Sequence, residues 1–215
     1  MKNIYIYCEG QTEEAFINEL LFPYFMNIDI YVRPIICTTK RTKTHKYKGG
    51  VNNYNKIKDE LQILCKQHKN EVVTTMFDYY AMPDNTPNID NSTPDIYIRM
   101  SEIESTINND IGMSNLFFNF SLHEFEGLLF SEPSAFNLIT TNAIVDEIKN
   151  IKDSCETPEH INNSSETAPS KRLIKLITNY SKIRHGVIVA KNIGIDNIIN
   201  ECKHFSDWIQ KIRTC

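Results

Sequence analysis

The chain has 215 residues, of which 41% are hydrophobic, and its formal net charge is −4 at pH 7. This length and apolar content suffice for one sizeable core, and the acidic balance excludes nucleic-acid binding through overall positive charge. No apolar run is long enough to span a membrane and no signal sequence opens the chain, so we expect a cytoplasmic protein without a membrane partner, its six cysteines reduced.

The first predicted strand, residues 2–8, ends at an acid. Glu9 follows it, Gly10 turns the chain, and a helix over residues 12–26 places Glu13 in its first turn. The carboxyl edge of an open α/β sheet is where ligands bind, and two carboxylates separated by one turn can share a divalent cation. Glu13 also suits the positive end of the helix for structural reasons alone, so both interpretations stay open.

The same arrangement recurs on a later strand. Residues 28–37 and 71–78 are predicted strands joined by a helix over residues 52–69, and the later strand ends at Asp78. A proline-containing loop over residues 81–94 leads into a further helix. Two acids at equivalent strand ends favour a shared site over two unrelated turn formers.

A third acidic segment follows the next strand. After a helix over 95–110 and a strand over 115–120, residues 121–130 are predicted to begin a helix that carries His123, Glu124 and Glu126. Helical geometry directs the two glutamates to different sides, so one of them is expected to reach the crevice. His123 is a candidate metal ligand, proton carrier or structural histidine.

The densest positive run of the chain lies between residues 40 and 48 and ends at Gly49-Gly50. One interpretation is a solvated loop, and the other is an arm that follows a nucleic-acid backbone, with Tyr47 placed to stack on a base. The candidate phosphate contacts are Lys40, Arg41, Lys43, Lys46 and Lys48.

The C-terminal part is predicted to be helical. A helix over 134–151 precedes a polar loop over 153–169, and Ser170 is a predicted N-cap. Helices are then expected over residues 172–177, 187–192, 195–202 and 205–213. We predict an α/β domain over residues 1–152, with a mostly parallel central sheet flanked by helices, and a helical extension over residues 170–215 packed on it.

Several nucleotide and catalytic motifs are absent from the sequence. There is no phosphate-binding G-x-x-x-x-G-K-[ST] loop, no G-x-G-x-x-G and no H-E-x-x-H, so the chain itself is not expected to bind ATP or a dinucleotide in the usual ways. Cys8 is predicted to be a core residue, because the neighbouring Glu9 would disfavour a thiolate.

The order of these acids resembles a known fold. Glu9-Gly10-Gln11-Thr12-Glu13, a strand ending at Asp78 and an acid-bearing segment after another strand are similar to the Toprim fold of topoisomerases, primases and nucleases of the overcoming-lysogenization-defect (OLD) class. Longer segments resemble a family of small stand-alone Toprim-like bacterial proteins without an assigned biochemical function, whose genes often neighbour those of ABC/SMC-type ATPases in defence islands. These segments are Phe77–Pro83, His123–Phe130, Pro169–Leu173 and His204–Trp208.

The resemblance implies a metal-dependent nuclease that works with a separate ATPase in phage defence. It implies that Glu9 is the catalytic or metal-binding acid, that Glu13 and Asp78 complete a Mg²⁺ or Mn²⁺ site, and that Glu124 or Glu126 is a further ligand. It also implies a lysine that neutralises charge on the reacting phosphate, with Lys182 the first candidate and Lys191 the second.

One departure from the Toprim pattern keeps other functions open. A typical Toprim domain has D-x-D after its third strand, whereas this chain has Asp78-Tyr79-Tyr80, so the second acid is missing. Asp84, from the following loop, is the candidate replacement. A non-catalytic Toprim-like adaptor or sensor, or a nucleic-acid-binding module, is therefore the alternative.

Overall fold

A parallel sheet with helices packed on both faces forms the centre of the chain, as the sequence predicts. The computed structural model describes residues 2–37, 53–161 and 167–215. Within these ranges the strands run in the order β2-β1-β3-β4, every pair is parallel, and β5 also pairs with β3. The strands are β1 (Lys2–Cys8), β2 (Ile30–Ile36), β3 (Val72–Asp78), β4 (Leu116–Phe117) and β5 (Phe120–Ser121).

The α-helices of the described ranges surround this sheet. None of them has both the length and the apolar character that crossing a membrane requires. They are α1 (Gln11–Phe16), α2 (Phe22–Met26), α3 (Tyr54–Gln67), α4 (Ile96–Ile111), α5 (Asn142–Asp153), α6 (Pro169–Leu176), α7 (Lys182–Ile193), α8 (Ile195–Glu201) and α9 (Lys203–Thr214).

Strand β1 supplies side chains to two hydrophobic clusters because successive residues of a strand point to opposite faces. Ile4, Ile6 and Cys8 belong to one cluster, which also holds residues of α1, α7 and α9. Tyr7 belongs to the other cluster, together with residues of α3 and α4. Both faces of the strand are therefore covered, as expected for a strand inside a parallel sheet. The prediction that Cys8 is a core residue is confirmed, since its exposed fraction is 0%.

Two predicted helices are interrupted. The helix expected over residues 12–26 contains a π-helical stretch, Ile17–Leu21, directly before α2, and Pro23 lies in the first turn of α2. The helix expected over residues 134–151 divides into a 3₁₀ segment, Pro133–Leu138, and α5. Each interruption is only five or six residues long, which is too short for its different period to show in the hydrophobic pattern of the sequence.

The prediction that residues 121–130 begin an α-helix is wrong. Ser121 pairs with Asp78 as part of β5, and Phe125–Ser131 is a 3₁₀ helix. Between them His123 has a φ of 62° and Glu124 a φ of −149°. A left-handed residue followed by an extended one cannot belong to a right-handed α-helix, so this segment crosses the end of the sheet as irregular backbone.

Helices α6 and α7 do not begin where the sequence pattern predicted. The N-cap of α6 is Ala168, and the N–H of Ser170 donates to Oε2 of Glu124 at 2.9 Å, so a distant carboxylate satisfies this helix end instead of the predicted serine. Helix α7 starts at Lys182, five residues before the predicted start, with Ser181 as its N-cap. This earlier start brings Lys182 onto a regular helix.

The last helix joins the sheet through buried polar contacts. Phe205, Trp208 and Ile209 are buried, which confirms the prediction that they seat α9 against the core. The indole N–H of Trp208 donates to Oγ1 of Thr74 in β3 at 2.9 Å. Glu159, which is 4% exposed, accepts the backbone N–H groups of the first turn of α9 at 2.9 and 3.0 Å. Part of the predicted polar loop is thus core, and the division of the chain at residues 152 and 170 stays a prediction.

Candidate functional site

Strand register brings Glu9 and Asp78 to the same edge of the sheet. Cys8 pairs with Met76, so Glu9 and Asp78 leave neighbouring parallel strands within about one residue of each other. The backbone of Asp78 hydrogen-bonds the Glu9 carboxylate. Oδ1 of Asp78 in turn accepts the N–H of Phe125 at 2.9 Å, which ties the third acidic segment to this edge.

Glu13 belongs to the same group and also caps its helix. Its Oε2 accepts the Gly10 N–H at 2.9 Å, and only 7% of the residue is exposed. Its charge acts on both Glu9 and Asp78, because it raises the pKa of each. The structural and the electrostatic interpretations of Glu13 therefore both apply.

Glu124 and Glu126 both reach Lys182, so the expectation that they point to different sides is wrong. The Lys182 Nζ lies 3.9 Å from Oε1 of Glu124 and 3.3 Å from either carboxylate oxygen of Glu126. Glu124 has extended backbone, which removes the angular separation that an α-helix would impose. Gly186 lets α7 approach closely, since a Cβ there would lie 3.3 Å from the ring of Phe125.

We call the five acids at this edge the acidic cluster. Burial, followed by the charge of Glu13, raises the pKa of Glu9 to about 7, and burial raises the pKa of Glu126 to about 7. Burial and the other four acids raise the pKa of Asp78 well above its ordinary value. The opposing influence of Lys182 is not enough to return Glu9 or Glu126 to ordinary pKa values. The members of the acidic cluster are Glu9, Glu13, Asp78, Glu124 and Glu126.

Lys182 responds to the acids in the opposite sense. Burial lowers the pKa of Lys182, but the charges of Glu126, Glu124 and Asp78 outweigh that effect and leave the pKa raised. The ammonium group therefore stays charged at neutral pH and compensates part of the negative charge.

Three buried polar atoms at the cluster lack a hydrogen-bond partner in the described part of the chain. They are Oε2 of Glu9, Oε1 of Glu126 and the hydroxyl of Tyr180. Oε1 of Glu126 is within ion-pair distance of Lys182 but is not hydrogen-bonded, and Glu126 is only 1% exposed. Buried polar atoms are usually satisfied, so unmet hydrogen-bonding capacity in one place needs an explanation, and a bound water or ion is one of those available.

The side chains of the acidic cluster are of the chemical type that binds a hard divalent cation. All its members are carboxylates, which suit Mg²⁺ and Mn²⁺, and their raised pKa values mark a surplus of negative charge. Within residues 2–37, 53–161 and 167–215, no three acidic, histidine or cysteine side chains already stand at metal-holding distances. Holding a cation would therefore require the carboxylates to move from their internal partners.

His123 lies beside the acidic cluster but is not a cation at neutral pH. Its ring is buried, with 6% of the residue exposed, and stacks on Tyr80 at 5.1 Å between ring centroids. Burial, together with the charges of His160 and Arg99, lowers the pKa of His123 to about 4. A neutral buried ring fits a supporting role better than that of a proton donor.

Other predicted residues lie elsewhere. Lys191 pairs with Glu19, and both side chains are about half exposed, so the second lysine candidate is a surface residue. Asp84 lies exposed in a turn and is not among the acids that raise the pKa of Asp78. The cationic stretch Lys40, Arg41, Lys43, Lys46 and Lys48 lies outside the described residues.

The Tyr180 hydroxyl is a member of the site that no sequence motif marks. Its pKa is raised by burial and then by Glu126 and Glu124, so the group faces the acidic cluster. A buried hydroxyl without a partner costs about 1–3 kcal/mol. No sequence feature singles out this hydroxyl beyond the position of Tyr180 two residues before Lys182.

Tyr180→Phe is expected to raise the free energy of unfolding by about 1 kcal/mol, because it removes this unsatisfied hydroxyl. The matched control is Tyr54→Phe, which deletes a hydroxyl that donates to Oδ2 of Asp110 at 2.7 Å and should lower stability by about 1 kcal/mol. Urea denaturation of both variants measures the two effects. Equal destabilisation by both substitutions would show that the Tyr180 hydroxyl is satisfied in solution.

The fold and the site define a class: a parallel α/β protein with buried carboxylates and a lysine at the carboxyl edge of its sheet. The chain belongs to the family named "Domain of unknown function (DUF4276)", whose pattern matches residues 8–213. No curated protein matches it. Among solved structures it is similar to the C-terminal region of the Burkholderia pseudomallei OLD protein, with 19% identity, coverage of 96% of this chain and 98% of that one, and a TM-score of 0.42. So distant a similarity carries nothing about the site.

Proposed function

We propose that the chain is a Mg²⁺- or Mn²⁺-dependent phosphodiester hydrolase that acts on nucleic acid. The observation that carries the proposal is the acidic cluster itself, with its raised pKa values, its unmet Oε2 of Glu9 and Lys182 at its side. Acids gathered at the carboxyl edge of a parallel sheet, against their mutual repulsion, cost stability and need a functional explanation.

The residues that would hold the cation are Glu9, Glu13, Asp78 and Glu126, with Glu124 as a further ligand. A divalent cation bound there would activate water and stabilise the leaving oxygen of a phosphodiester. Glu9 keeps its Oε2 without a hydrogen-bond partner among the described residues, which leaves that oxygen available to the cation. Lys182 would offset negative charge on the phosphate oxygens.

The partners remain part of the proposal. The Lys40–Lys48 stretch would supply phosphate contacts along the nucleic acid, since the described acidic cluster repels a polyanion. The resemblance of the motifs supports proposing a Toprim relationship, a separate ABC/SMC-type ATPase as partner and a role in phage defence. The absence of a nucleotide-binding motif in the sequence supports a separate ATPase.

The test is a cleavage assay on labelled single-stranded and duplex DNA and RNA with Mg²⁺ or Mn²⁺. Asp78→Asn is expected to lower the cleavage rate by at least about a hundredfold, because it removes a charge from the centre of the acidic cluster. Asp84→Asn makes the same chemical change in an exposed turn and should cleave like wild type. Equal rates for wild type and Asp78→Asn would refute the proposed site.

A second candidate function, a non-catalytic adaptor or sensor, is favoured by a specific observation. Each of the five acids already has an internal partner: Glu9 on the backbone of Asp78, Glu13 on the Gly10 N–H, Asp78 on the Phe125 N–H, Glu124 on the Ser170 N–H, and Glu126 on Lys182. An acidic cluster that serves only to tie segments together would look like this. Calorimetric titration with Mn²⁺ separates the two functions. The hydrolase predicts saturable Mn²⁺ binding that is lost in Asp78→Asn, whereas the adaptor predicts no such binding.

A further inference from the structure

Tyr80 presents an exposed aromatic ring next to the acidic cluster. It follows Asp78 by two residues, and 46% of its surface is exposed. Its ring lies nearly parallel to that of His123, with an interplanar angle of 20° and 5.1 Å between centroids. The two backbones are also joined, because the Tyr80 N–H donates to the carbonyl of His123 at 3.3 Å. The ring is thus fixed to both segments that carry the cluster.

The histidine beneath Tyr80 is kept at a cost to the fold. His123 has a φ of 62°, in the left-handed region where residues other than glycine are strained by about 1–2 kcal/mol. It is 6% exposed, and its buried Nδ1 has no hydrogen-bond partner among the described residues. Stability alone would favour glycine or asparagine at this position. A strained histidine whose ring underlies an exposed tyrosine is explained if the ring pair serves as a support.

We propose that Tyr80, supported by His123, stacks on an unpaired base, so that the ligand of the acidic site is a single-stranded nucleic acid or an unpaired end. This inference rests on the proposed function and names its substrate class. An aromatic face accepts a base only when that base is unstacked, and the faces of bases in a continuous duplex are already covered. Such a stack is worth about 1–3 kcal/mol and tolerates any base.

The experiment measures binding rather than cleavage. A fluorescein-labelled twelve-nucleotide single-stranded DNA, and a blunt duplex of the same sequence, are titrated in CaCl₂ and followed by anisotropy. Tyr80→Ala is expected to weaken binding of the single strand by about tenfold or more, which is the affinity equivalent of one lost base stack. Tyr80→Phe keeps the ring and should bind the single strand with an affinity within about twofold of wild type. The duplex should bind more weakly, and its affinity should be the same whichever residue occupies position 80.

The chain offers a matched control in a second tyrosine–histidine stack. Tyr5 lies on His68 at 3.7 Å between ring centroids, on β1 and four residues before Glu9. Tyr5→Ala should leave single-strand binding unchanged. Melting temperatures of all variants show whether they are folded, which is expected for Tyr80→Ala because the ring is half exposed.

The outcomes separate this inference from the proposed function. Single-strand binding that depends on Tyr80, without any cleavage in Mn²⁺, would support the stacking site and refute the hydrolase. Cleavage that is unchanged in Tyr80→Ala would refute the stacking site alone. Failure of wild type to bind the single strand, or an equal effect of Tyr80→Ala on the duplex, would also overturn the inference.

Discussion

Replacing Lys182 by methionine is expected to lower the free energy of unfolding by about 3 kcal/mol at pH 8 and by much less at pH 5. The ammonium group lies 3.3 Å from the carboxylate of Glu126, which is 1% exposed. Removing one partner of a buried ion pair costs about 3–5 kcal/mol, and the low end applies because the lysine side chain is 40% exposed.

The pH dependence of this effect follows from the direction of the pKa shift. Burial holds the pKa of Glu126 at about 7 even though Lys182 lowers it, so without the lysine this pKa rises further. At pH 5 Glu126 is protonated in the folded state of both proteins and the lysine contributes little. Above pH 7 ionisation of Glu126 costs the wild type less stability than it costs the variant, because the wild type pairs the charge with Lys182, whereas the variant must either bind a proton or bury an unpaired charge.

The control for this experiment is on the same helix. Lys191→Met removes a lysine whose partner, Glu19, is half exposed, and should cost less than about 1 kcal/mol at either pH. Urea denaturation at pH 5 and pH 8 measures the loss of stability of both variants at both pH values. A Lys182→Met loss that is equal at pH 5 and pH 8 would show that the lysine acts through its packing and not through its charge.

A divalent cation should replace the missing charge if the acidic cluster binds one. Addition of MnCl₂ at pH 8 is then expected to restore stability to Lys182→Met, because a ligand that binds only the folded state stabilises it in proportion to the logarithm of its concentration. Lys191→Met should gain no more from Mn²⁺ than wild type. If MnCl₂ restores the stability of neither variant, the acidic cluster does not bind the metal ion, and Lys182 is the positive charge that balances a structural cluster.

The strand ends were the part of this site that the sequence could predict. Apolar runs ending at Glu9 and at Asp78 predict two buried parallel strands, and parallel strands bring their carboxyl ends to one edge. The pairing of Cys8 with Met76 agrees with that reasoning. The apolar pattern of a strand and the acid at its end are local properties, so they can be read from the sequence without knowledge of the rest of the fold.

The third acidic segment could not be predicted in the same way. Its spacing is compatible with a helix, and that interpretation separated Glu124 from Glu126. The structure replaces the helix with irregular backbone, because β5 pairs with β3 and His123 adopts a left-handed conformation. Both causes depend on distant parts of the chain, and the helical pattern does not report them.

Lys182 was predicted only through the resemblance, and its helix was expected to start at residue 187. Ser181 is the N-cap, so helix α7 starts at Lys182. The contact of Lys182 with Glu126 joins residues that are 56 positions apart in the sequence. Buried polar pairs over such separations, including Glu104 with His204 at 3.0 Å, leave no periodic signal in a sequence. These are the interactions for which coordinates are needed.

Glu9→Gln is expected to raise the free energy of unfolding by about 2 kcal/mol at pH 8 while it abolishes divalent-cation binding. The pKa of Glu9 is raised from 4.5 to about 7 by burial and by Glu13, so the folded state holds a proton that the unfolded state releases. The contribution of Glu9 is fully present below about pH 4.5 and is lost as the pH rises through about 7. Glutamine keeps an acceptor for the Asp78 backbone and carries no charge, so it escapes that loss.

The stability of the wild type should therefore fall between about pH 4.5 and pH 7, and the Glu9→Gln curve should be flatter over the same range. Glu147→Gln, on the exposed face of α5, changes the net charge equally and should leave the slope unaltered. Denaturation across this range, with and without MnCl₂, measures both properties. If the acids form a binding site that is held together against repulsion, Glu9→Gln should gain stability and lose affinity for the cation. If Glu9 is a purely structural acid, the variant should lose stability and respond to Mn²⁺ as the wild type does.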